Sequence, residues 1–142
     1  MNEAPITNYL AYLLAQANRR MTAQLERALA DEGVQIEHWR ILEVLSDEHG
    51  RSMGELAELV LMNHPALTKT IDRMVSSGLV HRRADTEDSR RVLVYITDHG
   101  IALVARLKEC VDQHHDGIEA AVGSKKTEQL KKLLGELIKN TQ

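Results

Sequence analysis

The sequence predicts a mainly α-helical protein with one small β-hairpin, arranged as a winged helix–turn–helix. Three observations lead there. Apolar residues recur at helical spacing through most of the 142 residues. Near residues 52–78 a short helix and a second helix are separated only by a tight connection. Directly after them the period becomes that of two strands flanking a charged tip.

Each element has its own signal. Leu10, Leu13, Leu14, Ala17, Met21, Leu25 and Ala28 mark one face of a long first helix, with Gly33 as its stop. A second helix is expected from Ile36 to Asp47, offering Trp39, Leu42, Val44 and Leu45 to the core. Ser52-Met53-Gly54-Glu55 is a capping box: the Ser hydroxyl accepts from the backbone N–H of Glu55, and the Glu carboxylate reaches back. It opens a short helix to Val60. After Leu61-Met62, Asn63 is placed to cap the next helix, and Pro65 sits in the first turn, where a missing N–H costs little. That helix turns Leu67, Ile71, Met74 and Val75 inward and stops at Gly78. Leu79–Arg83 and Arg91–Ile96 form the hairpin around a tip of acids and Arg90. Thr97 caps a long helix from Asp98, with Ile101, Val104, Leu107, Val111, Ile118 and Val122 along one side. Gly123-Ser124 breaks and recaps the chain before a last helix bearing Leu130, Leu133, Leu134, Leu137 and Ile138. Five large aliphatics on the last helix of so small a protein call for a partner surface.

Composition narrows the function. The chain carries 18 Lys+Arg against 21 Asp+Glu, for a net charge of -3, and is 43% hydrophobic, as ordinary folded domains are. With no Phe, one Trp and three Tyr it lacks the aromatic surface of a stacking platform for single strands. The single cysteine, Cys110, excludes an intrachain disulfide and a multi-cysteine metal site; it reads as a small core residue. No apolar run approaches the roughly 20 residues that span a bilayer. The polar start, MNEAPITNYL, has no secretory pattern, so no membrane partner and a cytoplasmic location are expected. No nucleophile–base set, phosphate-binding glycine loop or metal-ligand spacing appears, so neither an enzyme nor a cofactor is expected. His114-His115-Asp116 reads as a solvated turn, because adjacent helical histidines diverge.

The net negative charge is an apparent objection to a DNA partner, and position answers it. Residues 1–61 sum to -5, residues 62–97 to +2 and residues 98–142 to 0. Only the stretch containing the second helix of the pair and the hairpin is positive, and there arginines occur in pairs, Arg82-Arg83 and Arg90-Arg91. Such a segment suits duplex DNA, with the helix in the major groove and the wing on the backbone or in the minor groove.

LAELVLMNHPALTKTIDRMVSSGLVHRR followed by ADTEDSRRVLVYITDHG closely resembles the MarR family of bacterial transcription regulators, and the likeness extends over essentially the whole chain. Asp85, Asp88, Arg90, Val94, Thr97 and Gly100 fall at the family's wing spacing. Two departures stand out: His64-Pro65, where many members have a basic or polar residue and then Ser, and Ser89, where many have Arg or Lys. The resemblance implies a single domain over residues 1–142, with a winged lobe at 36–97 and dimerisation helices at 1–33 and 98–142. It implies a ligand-responsive regulator, most simply a repressor, acting as a homodimer on a pseudo-palindromic operator. A winged-helix module that binds protein instead of DNA is the alternative.

The residues outside the apolar stripe of the second helix, Asn63, His64, Ala66, Thr68, Lys69 and Arg73, are the candidate DNA contacts. Thr68 and Lys69 suit base edges, since Lys meets guanine acceptors and a Thr methyl meets thymine. Asn63 is equally an N-cap, and Arg73 is a phosphate contact or the partner of an acid. Arg90 and Arg91 are wing-tip contacts for the backbone or minor groove, and Asp88 orients an arginine instead of touching DNA. Arg82 and Arg83 alternate across a strand, so one of them faces DNA, with Arg83 preferred. The resemblance also implies an effector pocket between dimer body and lobe, for an aromatic acid or its CoA thioester. Tyr12, Arg19, His38, Trp39 and Arg40 are its candidates, with Arg19 or Arg40 able to grip a carboxylate or to form a surface ion pair, and Trp39 also suited to the core.

Overall fold

The computed structural model describes residues 4–141. Residues 1–3 and 142, which the expected terminal segments 1–33 and 98–142 include, lie outside the described residues. A 3-10 turn at Pro5–Asn8 precedes α1 (Leu10–Asp31), α2 (Ile36–Leu45), β1 (Arg51–Ser52), α3 (Met53–Val60) and α4 (His64–Ser76). Then come β2 (Val80–Ala84), β3 (Val92–Ile96), α5 (Asp98–Val122) and α6 (Ser124–Asn140). The fold is therefore mainly helical with a small three-stranded antiparallel sheet, in the order β1-β3-β2.

Caps fix the element ends. Ser52 Oγ accepts from the Glu55 N–H at 3.2 Å and donates to the Glu55 carboxylate at 2.9 Å, so the box closes through the two side chains. Asn63 Oδ1 accepts from the Ala66 N–H at 2.9 Å and caps α4. Thr97 Oγ1 accepts from the Gly100 N–H at 3.1 Å and opens α5. Between α5 and α6, Gly123 alone makes the break, at φ 92°, and serves as N-cap without a side-chain bond, so Ser124 is the first residue of the helix and not its cap. α2 stops at Leu45, two residues short of expectation, because Glu48 takes a left-handed φ of 64° and Asp47 turns back to accept the His49 N–H. β2 starts one residue late because the Leu79 N–H is used to close α4, bonding the Met74 carbonyl at 2.9 Å.

The chain divides into two compact units, Leu29–Lys108 and the two terminal stretches on either side of it. The unit Leu29–Lys108 contains the 36–97 stretch read from sequence, plus the end of α1 and the first half of α5. It holds a continuous core of Ile41, Leu42 and Leu45 from α2, Leu56 and Val60 from α3, Leu67, Ile71 and Met74 from α4, and Val80, Val94 and Ile96 from the sheet. Trp39 is only half-buried and stands outside that core, contrary to its expected packing role. Gly100 is buried where α5 crosses the chain leading into β2: a Cβ there would stand 2.5 Å from the Leu79 carbonyl.

In the terminal unit, α1 and the later part of α5 contact each other through His114, whose Nε2 lies 3.0 Å from the Met21 carbonyl. His114 and His115 are thus in mid-helix, and His114 is half-buried instead of solvated. Cys110 is half-buried on the same helix. No described helix is long and apolar enough to cross a membrane.

Candidate nucleic-acid interface

α4 separates its residues cleanly. Leu67, Ile71 and Met74 enter the core, while His64, Thr68, Lys69, Asp72 and Arg73 are exposed. Ala66 is half-buried, and the Asn63 side chain is committed to the cap. The Thr68 hydroxyl donates to the His64 carbonyl at 2.9 Å, one turn back. That bond fixes the rotamer, leaving the Thr68 methyl and the oxygen's lone pairs for an outside partner. Lys69 stands one position further round the same exposed face.

The hairpin is fastened to both helices of the helix–turn–helix. Arg82 donates to Asp72 of α4 at 2.5 Å, and Arg91 pairs with Glu55 of α3, the same carboxylate that closes the capping box. Exposed pairs of this kind contribute at most about 1 kcal/mol each, so their main effect is to fix the angle of the wing. The strand alternation then places Arg83 on the other face from Arg82, where its guanidinium lies 5.2 Å from the centroid of the Tyr95 ring. His81 stacks on Tyr95 with ring centroids 5.6 Å apart. Gly50 makes room for that ring, since a Cβ at position 50 would come within 2.4 Å of it.

At the wing tip the backbone supplies the shape. Asp88 Oδ1 accepts from the Arg90 N–H at 3.1 Å and from its Nε at 3.3 Å, while the Arg91 N–H bonds the Asp88 carbonyl at 2.9 Å. A second aspartate turn, Asp85 with the Glu87 N–H, closes the other side of the loop. The Arg90 side chain is 91% exposed, so its remaining donors point to solvent from a preorganised base. The structure therefore separates the four hairpin arginines: Arg82 and Arg91 are tied to acids of the helix–turn–helix, Arg83 lies over an aromatic ring, and Arg90 projects. Sequence reasoning missed the acids that do the tying, Asp72 and Glu55. Asp72 gave only an unmatched carboxylate on an exposed helix face, and Glu55 was already assigned to the capping box.

The effector candidates are divided between the two units. Tyr12 and Arg19 belong to the terminal unit, and Trp39 and Arg40 are half-buried on α2. His38 alone lines a cleft within the unit Leu29–Lys108, of about 380 Å³, together with Gly33, Val34, Gln35, Ser77, Leu79, His99, Leu103 and Arg106. His38 Nε2 is buried with no hydrogen-bond partner. Burial holds the imidazole below its ordinary pKa; Glu37 works against that shift and Arg73 adds to it.

A short helix, a recognition-type helix with polar residues outward and an arginine-bearing wing define a winged helix–turn–helix of the DNA-binding class. The comparisons give the family. Residues 32–91 match the model of the MarR family. The chain is 32% identical over 126 residues to the HTH-type transcriptional regulator FarR of Neisseria gonorrhoeae, covering 89% of this chain and 86% of that one. It is 28% identical to the homoprotocatechuate degradative operon repressor of Escherichia coli, over 91% of this chain and 87% of that one. The crystal structure of NadR in complex with 4-hydroxyphenylacetate superposes with a TM-score of 0.82 at 30% identity, over 99% of both chains. The chain belongs to the MarR family of transcription regulators.

Proposed function

We propose that this protein is a cytoplasmic, ligand-responsive repressor that binds a pseudo-palindromic duplex operator as a homodimer. One observation carries the reading: the exposed face of α4, with Thr68 and Lys69, is fixed by two ion pairs to a wing whose Arg90 projects from a preorganised turn. Thr68 and Lys69 read base edges, and His64 and Ala66 line the same helix start. Arg90 meets the backbone or minor groove, and Asp88 orients it. Arg83 and Arg73 supply flanking phosphate contacts, and Arg91 exchanges its acid for phosphate at close approach. Asn63 serves DNA through the cap it provides, which aims the end of α4.

Homodimerisation is supported by the terminal unit, whose helices leave Leu10, Leu13, Leu130, Leu133 and Ile138 exposed in the single chain. A two-fold dimer places two α4 helices about one DNA turn apart. A small effector is supported by the relative crystallised with 4-hydroxyphenylacetate, and repression by the relative named as an operon repressor. The effector is an aromatic acid or its CoA thioester, and it works by differential affinity for dimers of two spacings. Tyr12, Arg19, His38, Trp39 and Arg40 are the residues to test for its binding.

A gel-shift series on the DNA upstream of the protein's own gene tests this function. Saturable, sequence-selective binding that weakens with salt is expected. Equal binding to scrambled DNA at every salt concentration would leave the winged-helix module for protein partners as the better account.

A further inference from the structure

We propose that Tyr95 is a positioning residue for DNA binding: its ring holds the Arg83 guanidinium beside the wing as a cation ready for backbone phosphate. The strand register brings the two together. His81 stands directly opposite Tyr95 and Arg83 directly opposite Leu93, so His81 and Arg83, two residues apart, share the sheet face that carries Tyr95. Arg83 is thus the diagonal neighbour of Tyr95, within reach of an aromatic ring across a strand pair. Its guanidinium carbon lies over the ring, 5.2 Å from the centroid, inside the roughly 6 Å at which a cation is drawn to the ring quadrupole.

The ring itself is braced. The His81 imidazole stacks on it at an interplanar angle of 12°. Its hydroxyl end meets Gly50, where a Cβ would come within 2.4 Å of Cζ and 2.7 Å of the oxygen. Tyr95 is half-buried, whereas Arg83 is exposed. A held ring therefore carries a long side chain that is otherwise free to change rotamer.

The kind of partner decides what each arginine can do. Arg82 is paired with Asp72, Arg90 with Asp88 and Arg91 with Glu55, each a carboxylate that offsets the charge locally. Among the described residues, Arg83 is the hairpin arginine held by a ring instead of an acid. A ring quadrupole attracts the cation without neutralising it, so the full charge stays available to phosphate and no acid has to be displaced. Holding the side chain before contact also lowers the ordering cost of binding. This role rests on the reading above that Arg83 meets a flanking phosphate, whereas the ring contact in the free protein does not.

Titrations of the upstream duplex with full-length protein, run as a double-mutant cycle, test the role. Arg83→Ala is expected to weaken binding and lower the salt slope by about 1. Tyr95→Leu should weaken binding roughly 2–5-fold when Arg83 is present and by nothing further in the Arg83→Ala background. Tyr95→Phe, which keeps the ring, should recover the binding that Tyr95→Leu loses. Gly50→Ala, which leaves both partners in place and pushes the ring aside, should repeat the Tyr95→Leu loss with the same dependence on Arg83. A Tyr95→Leu loss of equal size in both backgrounds, or no recovery with Tyr95→Phe, would overturn the positioning role while leaving the Arg83 contact standing. Arg83→Ala with wild-type affinity and slope would overturn the phosphate contact, and the role with it. In NMR spectra of the free protein, the Arg83 side-chain resonances should be shifted by the ring in wild type and Tyr95→Phe but not in Tyr95→Leu. Unshifted resonances in wild type would overturn the placement whatever the DNA result.

Discussion

The unit Leu29–Lys108 and the terminal unit spend their apolar residues in opposite ways. Among the described residues, every buried apolar side chain except Leu25 lies in the former. In the terminal unit Leu130 is 50%, Leu133 60% and Ile138 71% exposed. The lobe closes its own core with three helices and a sheet, whereas the terminal helices leave these apolar side chains exposed in the single chain. Where such side chains form a contiguous patch, it marks an interaction surface. The contrast teaches that one unit buries its apolar residues within the chain while the other leaves them exposed, which is what the proposed homodimer would cover.

The largest expected effects come from making one substitution in both units. Leu42→Ala in the lobe core should cost about 2–5 kcal/mol of unfolding free energy in a urea titration. Leu133→Ala should shift the unfolding of the dilute single chain by no more than about 0.5 kcal/mol, yet weaken self-association in sedimentation runs. Equal costs at the two positions would erase the distinction.

Within the lobe, the projecting arginine and the tied one separate further. Arg90→Ala should weaken binding to the upstream duplex roughly tenfold and lower the salt slope by about 1, with dimerisation untouched. An unchanged slope would remove Arg90 from the interface.

A smaller effect is expected at the turn between α3 and α4. Leu61 caps α3 in the left-handed region, at φ 59°, while 89% exposed, so its side chain gains little from packing. A left-handed L-residue costs roughly 1–2 kcal/mol, and Leu61→Gly should therefore raise stability by about 1 kcal/mol net of the chain entropy that glycine adds. A lower thermal midpoint would show that the leucine has a partner.

The smallest effect concerns pH. His38 is held below its ordinary pKa by burial, against Glu37 and helped by Arg73. Below about pH 6.5 the unfolded chain takes up this proton before the folded one, so stability falls as pH drops through that value. It is fully present above it. His38→Gln should flatten the unfolding free energy between pH 7 and the folded pKa, and an unchanged slope would mean that another group carries it.

Much of this was legible because local rules decided it. Ser52, Asn63 and Thr97 announced three helix starts, and the apolar period of α4 assigned Leu67, Ile71 and Met74 to the core. The features that stayed hidden depend on distant pairing. β1 is two residues long and exists only because Arg51 and Ser52 meet Val94 and Leu93, some forty positions on. Arg91 carries no mark that its acid is Glu55, and the cleft draws its walls from three separate stretches. The 3-10 turn at Pro5–Asn8 has too few residues for a period to show. Size and helix spacing together point Trp39 to the core, and its partial exposure shows that they do not fix which neighbour arrives.

The proposal that the lobe faces DNA and the terminal helices pair with a second copy meets its most direct test in a stoichiometric titration. Fluorescence anisotropy of a labelled duplex from the upstream region, with full-length protein well above its dissociation constant, should break at two chains per duplex. A break at one chain per duplex, or the same curve on a scrambled duplex, would contradict the account.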